Sequence, residues 1–196
     1  MGRTLEGNVW HFRYDLPDDL IRDLEFLCRS EPVASDLVRP PSVTAAIRAK
    51  LRGPAPILRE ERGPAYLIPE SVRAPKGSVL ITKGNAHLLQ DEFPWMLQLI
   101  LDDLDIGPIT AVVFEGAAVS ICHCARLSPS AAEAGVKTLP AMKGKGYATA
   151  AVAGWAAASR ERGLLPLYST SWDNIASQGV ARKLGMMLYG EDWSIE

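Results

Sequence analysis

The 196-residue sequence predicts an α/β fold of the mixed (α+β) kind. Three observations predict it. From Ile109 onward, apolar runs succeed one another as strand, strand, strand, helix, strand, helix, strand. A helix of small residues, Tyr147–Arg162, follows a glycine-rich loop and stops before Gly163, a C-cap residue. The N-terminal half reads as helices divided by Pro- and Gly-rich turns.

Each element has its own signal. Pro17 at a first helical position precedes Leu20, Ile21, Leu24, Leu27 and Cys28, which share one helical face. A second helix is expected over Val43–Leu51, just after Pro40-Pro41. Arg52–Pro64 is rich in Gly, Pro and charge, so a loop is expected there. Short strands follow at Ala65–Ile68 and Val79–Thr82. His87–Leu104 is helical in pattern, broken or restarted at Pro94, and its Asp102–Asp105 end is acidic, a solvated surface in the ordinary case. Ile109–Phe114 and Ala117–Ala125 form a hairpin through Glu115-Gly116. A third strand, Ala132–Thr138, leads into the glycine loop, and Leu165–Ser171 and Met186–Ile195 supply the last two strands. One compact domain is expected overall. Residues 1–108 would be a helical and mixed part that shapes an acceptor site, and 109–196 a ligand-binding core.

Composition excludes several classes. Apolar residues make up 47% of the chain, enough for an ordinary core, and the formal net charge is −2. That charge gives no general attraction to nucleic acid or to an anionic membrane. The start, Met1 to Glu6, lacks the apolar core of a signal peptide, and Glu6 spoils a myristoylation site at Gly2. The longest apolar run, Ala148–Ala158, is too short to span a bilayer. Three cysteines form no paired framework, so a reducing cytoplasm is expected. On a strand, Cys122 and Cys124 face one way and His123 the other, and no second Cys or His pair completes a metal site. The expected metal count is therefore none, and His123 is left with core packing or a role near an acceptor.

Lys143-Gly144-Lys145-Gly146-Tyr147-Ala148 carries the chemistry. Two glycines let the backbone approach a ligand, and a helix N-terminus just behind them offers unpaired N–H groups and partial positive charge. Together they suit a phosphate or pyrophosphate. It is not a P-loop, because Lys145 is followed by Gly146 and no hydroxyl is placed for magnesium. It is not the dinucleotide fingerprint, because Thr149 stands where the third glycine belongs and the next strand carries no acid.

The run Gly135 to Ala148 resembles the central motif of the GNAT superfamily of N-acetyltransferases, a strand, a short loop and then Arg/Gln-x-x-Gly-x-Gly/Ala, with Lys143, Gly146 and Ala148 in the defining places. Asn174 to Ser177 and the close Ala181-Arg182-Lys183-Leu184-Gly185 are similar to that family's second motif. The resemblance covers roughly Ile109 to Ile195. It implies a mixed, mostly antiparallel central sheet flanked by helices, with acetyl-CoA or CoA as co-substrate. Backbone groups of Val136, Lys137 and Thr138 would pair with the pantetheine arm, and an N–H near Val136 would polarise the acyl carbonyl. Backbone N–H groups of Gly144, Lys145, Gly146, Tyr147 and Ala148, in a loop running from Lys143 to Thr149, would hold the pyrophosphate. Asn174, with Ser177 a turn later, would contact the cofactor.

The implied reaction is transfer of an acetyl or short acyl group to a primary amine, a small molecule, by direct attack in a ternary complex. It needs positioning, carbonyl polarisation and proton transfers. Glu133, on the strand entering the loop, is the candidate base, although the family commonly places such a glutamate where Ser130 stands. The family's usual acid, a tyrosine, is replaced by Ala181, so Tyr168 becomes the candidate acid and Tyr147 a packing residue. The missing tyrosine also allows a catalytically inactive CoA-binding sensor or interaction module. Neither nucleic acid nor membrane is an expected partner, and a homodimer is one option for the assembly.

Overall fold

The computed structural model describes residues 1–53, 56–102 and 105–196. The chain divides into two compact units. One contains 1–66, 169–175 and 188–196; the other contains 67–168 and 176–187. The sequence boundary expected near residue 108 falls inside the second unit. Residues 54–55 of the expected loop and Asp103 and Leu104 of the acidic helix end lie outside the described residues.

In the first unit, strands run in the order β2 (Asn8–Val9), β1 (Gly2–Thr4), β9 (Met187–Ile195), β3 (Glu60–Leu67). The β1 strand is antiparallel to both of its neighbours. Two helices, α1 (Asp18–Ser30) and α2 (Thr44–Arg52), lie where their apolar periodicity placed them. Pro17 caps α1 ahead of Asp18 and Asp19, whose charges suit a helix N-terminus, and Arg29 suits its end. Leu24 and Cys28, one turn apart, are buried with Val43, Ile47 and Trp193. The short strands β1 and β2 carry too few residues for a periodic signal. The expected loop 52–64 instead gives way to β3 at Glu60. Its glycine has a packing reason: a Cβ on Gly63 would lie 1.7 Å from the Thr170 carbonyl oxygen.

Beneath β1 lies a buried ionic network. The Arg3 guanidinium donates to Glu191 Oε2 at 3.0 Å, to Glu31 Oε1 at 3.1 Å and to the Arg39 carbonyl at 2.7 Å. Glu31 Oε2 accepts from the Ser42 hydroxyl and the Val43 N–H. Glu191 also accepts from Arg62 and from the Trp172 indole. Every carboxylate oxygen here is satisfied, which is what burying two carboxylates requires.

In the second unit, the order is β8 (Leu165–Ser169), β7 (Ala131–Thr138), β6 (Ala117–Leu127), β5 (Thr110–Phe114), β4 (Ser78–Leu80). Only the β7–β8 pair is parallel among these; the others are antiparallel. The fold class is thus the expected one, mixed and mostly antiparallel with flanking helices. Glu115 and Gly116, both at positive φ, make the hairpin turn between β5 and β6. The stretch expected as one helix with a break at Pro94 is a 3-10 turn, Ala86–Leu89, followed by α3 (Pro94–Leu101). Proline holds the first position of α3, where its missing N–H costs nothing.

Two helices cover opposite faces of this sheet. The long helix α4 (Tyr147–Glu161) packs on the Thr110 and Cys122 side, where the Thr110 hydroxyl donates to the Ala151 carbonyl at 2.7 Å. A Cβ on Gly154 would sit 1.8 Å from Ser78 Oγ, so only glycine permits this approach. On the other face Ile121 joins Leu89, Phe93 and Met96 in a second core. A further helix, α5 (Ile175–Lys183), buries Val180 and Ala181. Among the described residues no helix is long and apolar enough to cross a membrane.

Replacing Arg3 by Met should leave the buried Glu31 carboxylate without its cation and Glu191 with only Arg62 and the Trp172 indole. The expected loss is about 3–5 kcal/mol of unfolding free energy, the usual scale for a broken buried pair, read by urea denaturation.

Candidate functional site

The site is built where β7 ends. Its register with β8 runs from Ala131↔Leu165 to Ala134↔Tyr168. The β8 strand stops one residue later at Ser169, while β7 continues to Thr138. Val136, Lys137 and Thr138 therefore extend past the end of their parallel neighbour. On the opposite side β7 stays paired with β6, through Cys122↔Val136, Ile121↔Lys137 and Ser120↔Thr138. The Leu139 N–H bonds to Val119, toward β6. By the two-residue alternation of a strand, the N–H groups of Val136 and Thr138 point the other way, to the β8 side. These are backbone groups of the kind expected to meet a pantetheine arm. The Thr138 hydroxyl is held by Ser120 Oγ at 2.7 Å.

After Thr138 a 3-10 turn, Pro140–Met142, brings the chain to Lys143. Gly144 and Gly146 both have φ near +80°, which an L side chain resists. Gly146 is the N-cap of α4 and supplies no side-chain cap. The first α-type bond of the helix runs from the Ala150 N–H to the Gly146 carbonyl at 3.1 Å. The N–H groups of Tyr147, Ala148 and Thr149 precede it and have no i−4 acceptor within the helix. Added Cβ atoms on Gly144 or Gly146 would meet nothing within 4 Å, so the loop faces open space. Lys143 and Lys145 are exposed beside it, and Lys145 Nζ lies 3.4 Å from Met142 Sδ. Positive side chains, uncapped N–H groups and the helix dipole all favour an anion here.

The candidate proton carriers are already engaged. Glu133 accepts from Arg126 at 3.1 Å on the β6–β7 face. Tyr168 is fully buried, and its hydroxyl lies 2.6 Å from Ser177 Oγ on α5. Ser177 is thus a partner of the tyrosine rather than an isolated ligand. Asn174 belongs to segment 169–175 of the first unit, is exposed, and donates its N–H to the Ser171 carbonyl. Asp102 and Asp105, from the acidic stretch, bind Gln98 and Arg162 respectively. Burial pushes the Cys122 and Cys124 thiols above their usual range, which suits packing rather than nucleophilic attack. Among the described residues no group of three His, Cys, Asp or Glu is placed to hold a metal ion.

One cluster escaped the sequence reading. The His123 imidazole lies over the backbone of Gly135, where an added Cβ would come 2.7 Å from Cε1 and 3.0 Å from Nε2. Trp95, from α3, meets the imidazole edge to face, with centroids 5.3 Å apart and planes at 76°. Lys137 Nζ sits 5.9 Å from the Trp95 ring centre. A glycine inside the strand Ala131–Thr138 was the available signal, since it marks close approach by another group.

Residues 107–191 match the model of the GNAT acetyltransferase family. This segment is similar to the GNAT superfamily. Solved structures share the fold. A protein assigned to the GNAT acetyltransferases from Novosphingobium aromaticivorans is 18% identical, with a TM-score of 0.54 over 71% of this chain and 66% of its own. A GCN5-related N-acetyltransferase-like protein from Streptococcus suis is 23% identical, with a TM-score of 0.52 over 69% and 62%. A GNAT-family acetyltransferase from Colwellia psychrerythraea is 14% identical, with a TM-score of 0.51 over 79% and 63%. The chain thus spans slightly under two thirds of the length of these structures. No curated protein matches it. In GNAT terms, the outrunning strand β7 and the loop before α4 are the two halves of the central motif.

Gly135→Ala should force the imidazole off β7 and out of its contact with Trp95. The expected sign is loss of the Trp95 ring-current shift on the His123 Hε1 signal, read by proton NMR.

Proposed function

We propose that the protein moves an acetyl, or other short acyl, group from acetyl-CoA to a primary amine, by direct attack in a ternary complex. The observation that carries this reading is the end of β7. Strand groups of Val136 and Thr138 beyond β8 and the uncapped Gly144–Thr149 loop share one short stretch of chain. The first can pair with the amide-bearing pantetheine arm, and the second can hold the pyrophosphate of the same cofactor. When bound, acetyl-CoA supplies the activated thioester.

The chain's own residues do the rest. The Val136 N–H polarises the thioester carbonyl, a donor that needs no reorganisation because the strand already fixes it. Lys143 and Lys145 add charge at the phosphates. Glu133 and Tyr168 are the candidate base and acid, neither at the family's usual place, and each would have to leave its partner, Arg126 or Ser177, to reach a substrate. The acceptor is a small-molecule amine, and the expected setting is the cytoplasm.

A second reading has its own observation. Ala181, where the family's acid tyrosine is usual, is 2% exposed and packed into α5. A CoA-binding module without catalysis would look the same at the loop. Turnover of acetyl-CoA with a panel of amines, followed as free thiol, separates the two.

CoA should bind with roughly micromolar affinity and raise the Tm as its concentration rises. Gly146→Val places a branched side chain at φ +84°, on the surface the pyrophosphate would use. Calorimetry should show CoA affinity falling by at least about tenfold while the far-UV spectrum is kept. Normal CoA binding by this variant would place the phosphates elsewhere, and no CoA binding by the parent protein would remove the reading altogether.

A further inference from the structure

We propose that His123 is a catalytic residue, taking the proton from the acceptor amine as the amine nitrogen bonds to the acyl carbon. The inference rests on the acyl-transfer reading above. It starts from an orphan. His123 Nδ1 is buried and has no hydrogen-bond partner in the protein. Leaving a buried polar atom unpaired is costly, and such an atom calls for a partner that arrives from outside. Among the described residues with buried, unpartnered side-chain polar atoms, His123 alone titrates.

Position makes the orphan useful. The imidazole lies over Gly135, the residue immediately before Val136, so it borders the stretch of β7 that outruns β8. Gly135 permits this placement, and Trp95 meets the imidazole edge to face. Trp95 is itself 42% exposed, so the cluster reaches solvent. Thus the base and the carbonyl-polarising N–H occur on paired strands, one register position apart.

The protonation state also suits a base. Burial lowers the His123 pKa, and the Gly135 backbone opposes this more weakly. The ring is therefore neutral at pH 7 and able to accept a proton. The charged groups around it are few. Lys137 and the Glu133–Arg126 pair lie on the same face of β6 and β7, while Cys122 and Cys124 point to the opposite face. From the other side, α3 carries no charged residue between Pro94 and Leu101. The Lys137 ammonium disfavours a second cation beside Trp95, so the acceptor binds as the free amine.

The step balances. The amine nitrogen forms a bond to the acyl carbon, the carbon–sulfur bond breaks, and the pair on that bond leaves with sulfur. The N–H proton passes to His123 and then to solvent, and the thiolate takes one proton from solvent. The bonded nitrogen is far more acidic than the free amine, so a weak base suffices.

The test uses His123→Gln, acetyl-CoA, and tryptamine, lysine, glucosamine and spermidine as probe amines. CoA binding by calorimetry should be unchanged in the variant; if the parent protein fails to bind CoA, it is the acyl-transfer reading that falls. The variant's kcat/KM should drop about 10²–10⁴-fold, the usual scale for losing a general base. The decisive readout is the acid limb of log kcat/KM against pH in the parent protein. It should have a slope of about 2 below the histidine pKa, one proton from the amine and one from His123. The break should fall below the usual histidine value of about 6.5. In His123→Gln the slope should be about 1 throughout. A parent slope of 1, a variant that keeps slope 2, or loss of the limb only in Glu133→Gln would each overturn the assignment. So would a parent protein that binds CoA yet acylates none of the four amines. Because the parent's slope decides by itself, poor folding of the variant does not rescue the proposal.

Discussion

The close approach of α4 to its sheet is the constraint on which the site depends. Ala151, Val152, Ala153, Gly154 and Ala156 are all buried there, and Gly154 passes so near Ser78 that a methyl group would collide with it. A helix this close leaves little room for the chain that joins it to β7. The join must turn sharply, and it does so through two glycines at positive φ. One of them is the helix N-cap, so the cap that a Ser or Asp side chain would otherwise provide is missing. The uncapped N–H groups are thus a consequence of packing as much as a feature of a binding loop. A side chain at Gly146 would relieve the vacancy and close the site in the same move.

The same logic explains which parts of the molecule were legible in the sequence. The α4 loop was legible because φ above zero demands glycine and an anion site demands free N–H groups; both leave marks on residue type. The strands from Ile109 to Thr138 were legible because one face or both is buried and apolar. In contrast, β1 and β2 are three and two residues long and hold their place through Arg3 and backbone pairing. A buried arginine reads as a surface residue until its two carboxylate partners are known, and these lie 28 and 188 positions away. Gly63 and Pro64 marked a loop by composition and turned out to be strand, because their neighbour 170–172 comes in at backbone distance. The competing influence in each case is a partner remote in sequence, which local pattern does not register.

The candidate site was only partly legible for a related reason. Backbone ligands are read from conformation, and conformation constrains sequence. Side-chain chemistry is read from neighbours. Glu133 and Tyr168 were the natural choices by residue type, and only the structure shows the first on Arg126 and the second on Ser177. His123 looked like a strand histidine between two cysteines. Its distinguishing property, a buried nitrogen with no partner, exists only once Gly135 and Trp95 are seen around it.

Acyl transfer from a thioester also asks less of a base than hydrolysis of an amide does. The carbonyl is activated in advance, and the attacking nitrogen becomes acidic as it bonds. The Glu133 carboxylate is already engaged by the Arg126 guanidinium. A half-buried imidazole is already destabilised in its charged form, stays neutral, and needs to hold the proton only until solvent removes it. Burial that would be a defect for a resting cation is an advantage for a transient one. It keeps the imidazole ready at neutral pH and makes it release the proton quickly. The lowered basicity of His123 comes from burial, and the Gly135 backbone under the ring offsets part of it, so the glycine in β7 that makes room for the ring also moderates how weakly it holds a proton.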